Sequence, residues 1–141
     1  MDNSHSASGI ILLQAKLAAR MGRKMSNHLS LHGISLTEYL ALHYIASAAH
    51  PEISRAILAE HLEMSASGVT RLLAPMEKNN LVERIRNPRD ARQSQVRLTG
   101  PGKKIYREAS VSFQDIANDM IGELSGDTRA ALHTWFTQML R

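Results

Sequence analysis

The spacing of apolar residues along the chain predicts a fold made mainly of helices. In six segments the apolar residues recur every three or four positions, which places them on one face of an α-helix. Two short segments of this kind, 58–62 and 69–76, lie on either side of Glu63-Met64-Ser65. They predict two short helices that share an apolar seam across a tight break, the arrangement of a helix-turn-helix.

The second of these helices has a small, polar and basic outer face. Ser65 is its expected N-cap, because the hydroxyl can accept a hydrogen bond from a backbone N–H of the first turn. The residues expected on the outer face are Ser67, Gly68, Arg71 and Lys78, with Thr70 at its margin. Small residues allow the helix to lie deep in a DNA groove, where the Arg71 guanidinium can pair with a guanine edge or a phosphate. Taken alone, the same pattern also fits a solvated helix surface.

Pro75 falls inside the same helix. A proline in a helix interior lacks the N–H that bonds to the residue four positions earlier, and its ring crowds that turn. We therefore expect a kink or a loosened turn at residues 71–75, beyond the N-terminal turns that carry Ser67 and Thr70.

Two short strands with a basic loop between them follow the helix pair. Residues 81–86 and 95–99 have the apolar content and alternation of strands, and residues 87–94 form a polar tip. Seven Lys or Arg residues lie between positions 84 and 104, against the single acid Asp90. The phosphate backbone of DNA would neutralise this charge, with Arg89 and Arg92 as expected contacts. Asp90 can orient Arg92 toward a narrow minor groove through a bidentate pair.

Helix, turn, helix, strand, basic loop and strand follow one another in the order of a winged helix. In this order the chain resembles the MarR (multiple antibiotic resistance regulator) family of transcription factors, and the likeness extends over nearly the whole chain. It is carried by residues 58–62, 65–73, 81–84, Asp90-Ala91-Arg92 and Leu98-Thr99-Gly100-Pro101-Gly102. The last two groups resemble the family's wing signature, an Asp-x-Arg followed by Leu-Thr-x-x-Gly. The resemblance implies a winged helix-turn-helix that binds DNA, with an effector cleft between its DNA-reading and dimerising halves.

Long apolar stripes near both ends of the chain predict dimerisation. One runs from Ile10 to Leu29, and another runs from Ile105 to Leu124 and continues in a last helix with Trp135. The segment between the stripes is too small to cover them, so a second copy related by a two-fold axis is the expected partner. A self-contained helical bundle within one chain is the alternative.

These elements predict an α+β fold that is mainly helical, with a small β-hairpin wing. We expect a single domain, 1–141, with a winged helix-turn-helix DNA-binding lobe at residues 35–99. Residues 9–34 and 100–141 are expected to form the dimerisation helices.

The helix that links the two halves carries a candidate effector site. His32-Gly33 has the sequence of a helix end, and Ser35-Leu36-Thr37-Glu38 has that of a capping box. On the helix that follows, Tyr39 and His43 lie four residues apart and share a face. A small aromatic or phenolic effector lodged there fits the cleft that the resemblance implies. A partly buried Tyr and His without a ligand is the alternative.

Composition and charge narrow the function further. The formal charge is +4 and the pI is about 9.8, which fits an anionic partner. The chain has no cysteine, which excludes disulfides, thiolate metal sites and cysteine-based redox sensing. It also has no apolar run of the roughly 20 residues that a membrane span needs, and its N-terminus lacks the pattern of a signal peptide. We therefore expect a cytoplasmic protein without a membrane partner.

The predicted function is transcriptional regulation, as a ligand-responsive repressor. A two-fold dimer would hold its recognition helices roughly 34 Å apart, which predicts a palindromic operator in double-stranded DNA. The sequence has neither a hydrolase elbow nor a Walker loop, so we expect no enzymatic activity and no cofactor.

Two alternatives to this function remain open. His28 and His32 have the i, i+4 spacing of metal ligands, which allows a metal-responsive regulator of the same fold. The further histidines available to it are His43, His50 and His61. Because no acid or cysteine accompanies the first pair closely, we expect no metal site. The second alternative is a winged-helix module that binds proteins and not DNA, which the basic wing disfavours.

Overall fold

The helices of the computed structural model follow the order that the hydrophobic pattern predicts. The structure describes residues 5–87 and 89–141, and the side chains of residues 87 and 90–93 lie outside this description. The helices are α1 (Ala7–Leu29), α2 (Leu36–Ala46), α3 (Arg55–Leu62), α4 (Ala66–Lys78), α5 (Gly100–Ile121) and α6 (Gly126–Met139). The strands are β1 (Glu52–Ser54), β2 (Val82–Asn87) and β3 (Asp90–Leu98). The mainly helical fold with a β-hairpin wing is confirmed.

A hydroxyl side chain caps the N-terminus of each of these six helices. The N-caps are Ser6, Ser35, Ser54, Ser65, Thr99 and Ser125. The capping box predicted before α2 is present, since the Glu38 N–H donates to Ser35 Oγ over 3.1 Å and the Ser35 N–H donates to Glu38 Oε1 over 3.0 Å. A cap of this kind contributes about 1 kcal/mol, so local sequence sets where these helices begin.

Residues in the left-handed conformation follow three of the helical segments, and after α4 this residue is Asn80, with a φ of 60°. After α1, a 3-10 turn at Ser30–His32 leads to Gly33, whose φ is 76°. Glycine adopts this conformation without steric cost. Glu63 takes the same conformation after α3, with a φ of 53°, and its N–H bonds to the carbonyls of the last turn. The break between α3 and α4 therefore lies at residues 63–65, where the sequence predicts it.

A short third strand completes the sheet that the wing hairpin begins. β2 pairs antiparallel with β3, with Val82 opposite Leu98. β1 pairs antiparallel with the other edge of β3, with Ile53 opposite Val96, so the strand order is β1-β3-β2. β1 escapes prediction from the sequence because three residues are too few to show an alternating pattern.

The buried core lies beneath the helix-turn-helix and the sheet. The largest fully buried side chains are Leu29, Leu42, Ile45, Leu58, Val69, Leu73, Met76, Val82 and Val96. They come from the end of α1, from α2, α3 and α4, and from both wing strands. This shared core fixes the orientation of α4 against the rest of the lobe.

The N-terminal part of α1 and the whole of α6 keep large apolar side chains exposed. Leu12 of α1 is 72% exposed and Phe136 of α6 is 47% exposed. The other exposed apolar residues of these two helices are Ile10, Ile11, Leu13, Leu17, Leu132 and Met139. α6 buries none of its residues, so a single described chain does not cover these surfaces.

The start of α5 lies against the turn that precedes β2. The Thr99 N–H donates to the Leu81 carbonyl over 3.1 Å, and Thr99 Oγ1 donates to the Asn80 carbonyl over 2.6 Å. A Cβ built on Gly102 would lie 1.9 Å from the Leu81 carbonyl oxygen. The close approach of the two segments therefore requires glycine at this position.

We expect the Gly102→Ala change to lower the free energy of unfolding by about 1–3 kcal/mol, because the added methyl group overlaps the Leu81 carbonyl. Gly100→Ala is the matched control, since a Cβ at Gly100 meets no atom within 4 Å. Urea denaturation followed by circular dichroism measures both changes. Equal midpoints for the two variants would contradict the predicted overlap.

Candidate nucleic-acid interface

The buried side of α4 determines which of its residues face outward. Val69, Leu73 and Met76 are buried in the core, so the opposite side of the helix faces solvent. The exposed polar residues on that side are Ser67, Thr70, Arg71 and Lys78. The exposure predicted for these four residues is confirmed.

Gly68 is buried, so the prediction that it lies on the outer face is wrong. Its N–H donates to Ser65 Oγ over 3.1 Å. A Cβ on Gly68 would lie 3.1 Å from Met64 Cε and 3.2 Å from Ser65 Oγ. The residue therefore faces the cap and the turn before α4, and it allows both to pack closely against the first turn of the helix.

The N-terminal turn of α4 is capped and contains no acidic residue. The Ser65 hydroxyl accepts the Gly68 N–H and is also hydrogen-bonded to the Ser67 hydroxyl over 3.2 Å. No carboxylate of this turn offsets the positive end of the helix dipole. An anion is therefore favoured beside this end of α4.

Pro75 lies inside α4 without interrupting it. The helix runs from Ala66 to Lys78, and the Asn79 N–H donates to the Pro75 carbonyl over 2.9 Å. The loosened turn predicted at residues 71–75 does not appear as a break in the helix. Pro75 is exposed, so its ring lies at the surface and not in the buried seam.

Arg55, which no sequence motif marks, contacts the outer face of α4. Its Nη2 donates to Thr70 Oγ1 over 3.0 Å, and Thr70 Oγ1 donates to the Ala66 carbonyl over 3.1 Å. Burial and then repulsion from Arg84 lower the pKa of Arg55, and attraction to Glu77 acts in the opposite direction. The sequence signal for Arg55 is weak, since only its position after the Ser54 cap places it at the start of α3.

Acidic side chains outside residues 84–104 form ion pairs with two arginines of the wing. Arg84 Nε lies 3.7 Å from Glu77 Oε1, which connects β2 to α4. Arg97 pairs with Glu83 across the hairpin, and its Nη1 lies 3.7 Å from Glu52 Oε1. The self-repulsion predicted for this segment is therefore partly relieved within the fold.

The tip of the wing carries further cations. Arg86 and Arg89 are exposed, and the register of the hairpin shifts between Arg86 and Asn87. The side chains of Asp90 and Arg92 lie outside the described residues, so the bidentate pair between them stays a prediction.

Comparison with known proteins identifies the family of this helix-turn-helix and wing. The model of the MarR family matches residues 32–93. The helix-turn-helix and wing of this chain are those of the MarR family. The HTH-type transcriptional regulator SarZ of Staphylococcus epidermidis is 28% identical over 119 residues, which cover 84% of this chain and 79% of SarZ. SarZ of Staphylococcus aureus is 26% identical over 135 residues, which cover 88% and 89% of the two chains.

Solved MarR-family structures share the fold of this MarR-family chain. A mutant MarR from E. coli complexed with operator DNA superposes with a TM-score of 0.86 at 24% identity, over 100% of both chains. The MepR–DNA complex of S. aureus has a TM-score of 0.84 at 21% identity and covers 92% of this chain and 94% of MepR. At these identities the likeness shows the winged-helix fold. Because the family and its named relatives are transcriptional regulators, this MarR-family protein is a regulator and not an enzyme.

In this MarR-family protein, the candidate effector residues lie in the contact between α2 and α5. The Tyr39 hydroxyl donates to Ser110 Oγ over 3.1 Å, and its ring stacks on Phe113 with a centroid distance of 4.7 Å. His43 Nδ1 is hydrogen-bonded to the Tyr106 hydroxyl over 2.8 Å. Burial raises the pKa of Tyr39, and its hydrogen bond to Ser110 acts in the opposite direction. Both polar groups therefore already have partners on α5.

Two open cavities lie beside the segment that follows α2. Their volumes are about 570 and 640 Å³, and both are lined by Ala48, Ala49 and His50. Neither is lined by Tyr39 or His43. The candidate effector residues therefore do not face either cavity.

The histidines of the metal alternative are engaged separately. His28 Nδ1 is hydrogen-bonded to the Lys24 carbonyl over 3.0 Å, and His32 Nε2 is hydrogen-bonded to Ser112 Oγ over 2.7 Å. Within residues 5–87 and 89–141, no group of three or more His, Cys, Asp or Glu residues is placed to hold a metal ion. In the same ranges, no helix has both the length and the apolar character to cross a membrane.

Proposed function

We propose that this MarR-family regulator is a cytoplasmic repressor that binds a palindromic DNA operator as a homodimer. The observation that carries the proposal is the outer face of α4, which exposes Ser67, Thr70 and Arg71 and has no acid in its first turn. A small, basic helix surface of this kind can enter the major groove. The DNA complexes among its structural neighbours, those of MarR and MepR, support this function.

In this proposal one group of residues contacts phosphates and another contacts base edges. The wing cations Arg86 and Arg89 are exposed and supply contacts to phosphates, which add affinity but no sequence information. Arg71 on α4 has the planar donor fork that pairs with guanine O6 and N7. The Arg84–Glu77 pair connects the wing to α4, so that both parts can meet the same duplex.

The exposed apolar surfaces of α1 and α6 support a second copy of the chain as the partner. Leu12, Leu13, Phe136 and Met139 are each between 47% and 72% exposed, although side chains of this kind favour burial. Large apolar side chains left exposed in a row on a helix mark a surface that a partner covers. A two-fold dimer covers it and sets the recognition helices about 34 Å apart, one turn of the duplex.

Ligand response belongs to the same proposal. Tyr39 and His43 of α2 are bonded to Ser110 and Tyr106 of α5, so this contact joins the DNA-binding lobe to a dimerisation helix. A small aromatic or phenolic acid that enters here must replace those hydrogen bonds. The acid then releases the DNA by binding more tightly to the dimer whose recognition helices are spaced too far apart or too close together for the operator.

We expect the Arg71→Ala change to weaken binding to a selected operator about 10- to 100-fold and to relax the preference at one base pair, because a base-edge contact is lost. The operator is first selected from random duplexes with the wild-type protein, and affinity is then measured by fluorescence anisotropy. Arg107→Ala removes the same charge from an exposed position on α5 and serves as the matched control. Similar losses for the two variants would show that Arg71 contributes charge but no base recognition.

We expect the Phe136→Glu change to weaken dimerisation about 100-fold or more, because the two-fold axis places the change at the interface twice. Sedimentation velocity over a range of protein concentrations measures the dissociation constant. Gln138→Glu adds the same charge to α6 on its polar side and is the control. A wild-type protein that stays monomeric, or equal effects of the two changes, would argue against this interface.

We expect small aromatic and phenolic acids to include compounds that release the wild-type protein from its operator. For such a compound, Tyr39→Phe removes a hydrogen-bonding group of the α2–α5 contact and should raise the concentration needed by about tenfold. Ser94→Ala changes the cavity of about 640 Å³ and is the control, with no effect expected. The opposite ranking of the two variants would assign the ligand to the cavity.

A further inference from the structure

The hydroxyl of Thr70, on the outer face of α4, makes two hydrogen bonds within the protein. A hydroxyl has one hydrogen to donate and two lone pairs to accept with. Thr70 Oγ1 donates its hydrogen to the Ala66 carbonyl over 3.1 Å and accepts from Arg55 Nη2 over 3.0 Å. One lone pair and the methyl group remain available to a ligand in the groove.

Arg55 lies at the junction of α3, α4 and the wing. It is the first residue of α3 and is partly buried. The charged groups that act on it are Arg84, which repels it, and Glu77, which attracts it. Because Arg84 and Glu77 also pair with each other, Arg55 lies in a local surplus of positive charge beside α4.

Without Arg55, threonine in a helix divides between two rotamers, since its hydroxyl can bond to either of two preceding carbonyls or turn away from them. The Arg55 bond adds a second partner to one of these rotamers. The side chain is then fixed in the orientation that bonds to Ala66, and the position of its methyl group is fixed with it.

We propose that Arg55 is a positioning residue for DNA recognition, which holds Thr70 so that its methyl group and not its hydroxyl reads the base pair it faces. This inference rests on the proposed binding of DNA by α4. Since the Thr70 hydrogen is engaged within the helix, the side chain has no donor for O6, O4 or N7 of a base, and its remaining lone pair can only accept from the exocyclic amine of adenine or cytosine. Its methyl group fits the C5-methyl group of thymine, the apolar feature of the major groove.

The first test uses the free protein and needs no DNA. Three-bond NMR couplings to Thr70 Cγ2 report χ1, and we expect one rotamer in the wild type and averaged values in the Arg55→Gln variant. Arg20→Gln removes the same charge from an exposed position on α1 and should leave the couplings unchanged. Averaged couplings in the wild type, or identical couplings in Arg55→Gln, would overturn the inference.

The second test measures which base pair Thr70 prefers. The wild-type protein selects sites from random duplexes, and each selected thymine is then replaced by uracil, which lacks the C5-methyl group. At one position per half-site we expect a roughly fourfold loss of affinity, the factor for burial of one methyl group. In Arg55→Gln, duplexes with uracil and with thymine at that position should bind about equally well. The salt dependence of binding should stay that of the wild type.

Two variants of Thr70 separate the methyl group from the hydroxyl. Thr70→Val keeps the methyl group, so the preference for thymine over uracil should persist. Thr70→Ser keeps the hydroxyl, so the preference should disappear. The reverse result would show that the hydroxyl reads the base and would overturn the inference, with DNA binding intact. If the wild type enriches no sequence at all, the proposed DNA-binding function itself fails, whereas the NMR couplings still report whether Arg55 orders Thr70.

Discussion

The apolar seam that holds α4 in the lobe is the constraint on which the rest of this regulator depends. Val69, Leu73 and Met76 are buried together with residues of α2, α3 and the sheet. Since this side of α4 must be inward, the side with Ser67 and Arg71 must be outward. A hydrophobic requirement therefore selects the surface that we propose for DNA recognition, and the arginines add charge to a surface that burial has already oriented.

Local chemistry explains why much of the fold is predictable. Helix starts depend on a hydroxyl and the N–H groups next to it, so they can be read from Ser35, Ser65 or Thr99 without knowing the fold. The prediction for Gly68 is wrong because a residue without a side chain contributes nothing to the hydrophobic pattern. Gly68 lies four residues before the half-buried Leu72 and therefore shares its side of α4. The position of Leu72 in the same helix is the signal that corrects it.

The features that escape prediction join parts of the chain that are distant in sequence. Arg55 is 15 residues from Thr70, and Arg97 is 14 residues from Glu83. Such partners are set by how α3, α4 and the sheet pack, so no spacing in the sequence identifies them. The basic character of the wing is visible in the composition. How much of that charge remains for DNA depends on acids, such as Glu77, that the fold brings next to it.

The close contact between Gly102 and Leu81 couples the position of α5 to that of the wing. The first turn of α5 is hydrogen-bonded to and packed against the segment before the wing, so a movement of this end of α5 would carry that segment with it. The helix has 22 residues, which corresponds to a length of about 33 Å. A tilt of about five degrees at its far end therefore displaces the wing by about 3 Å over this length. That displacement is as long as a hydrogen bond, so a modest rearrangement among the terminal helices would be enough to separate the wing from the phosphates proposed as its contacts.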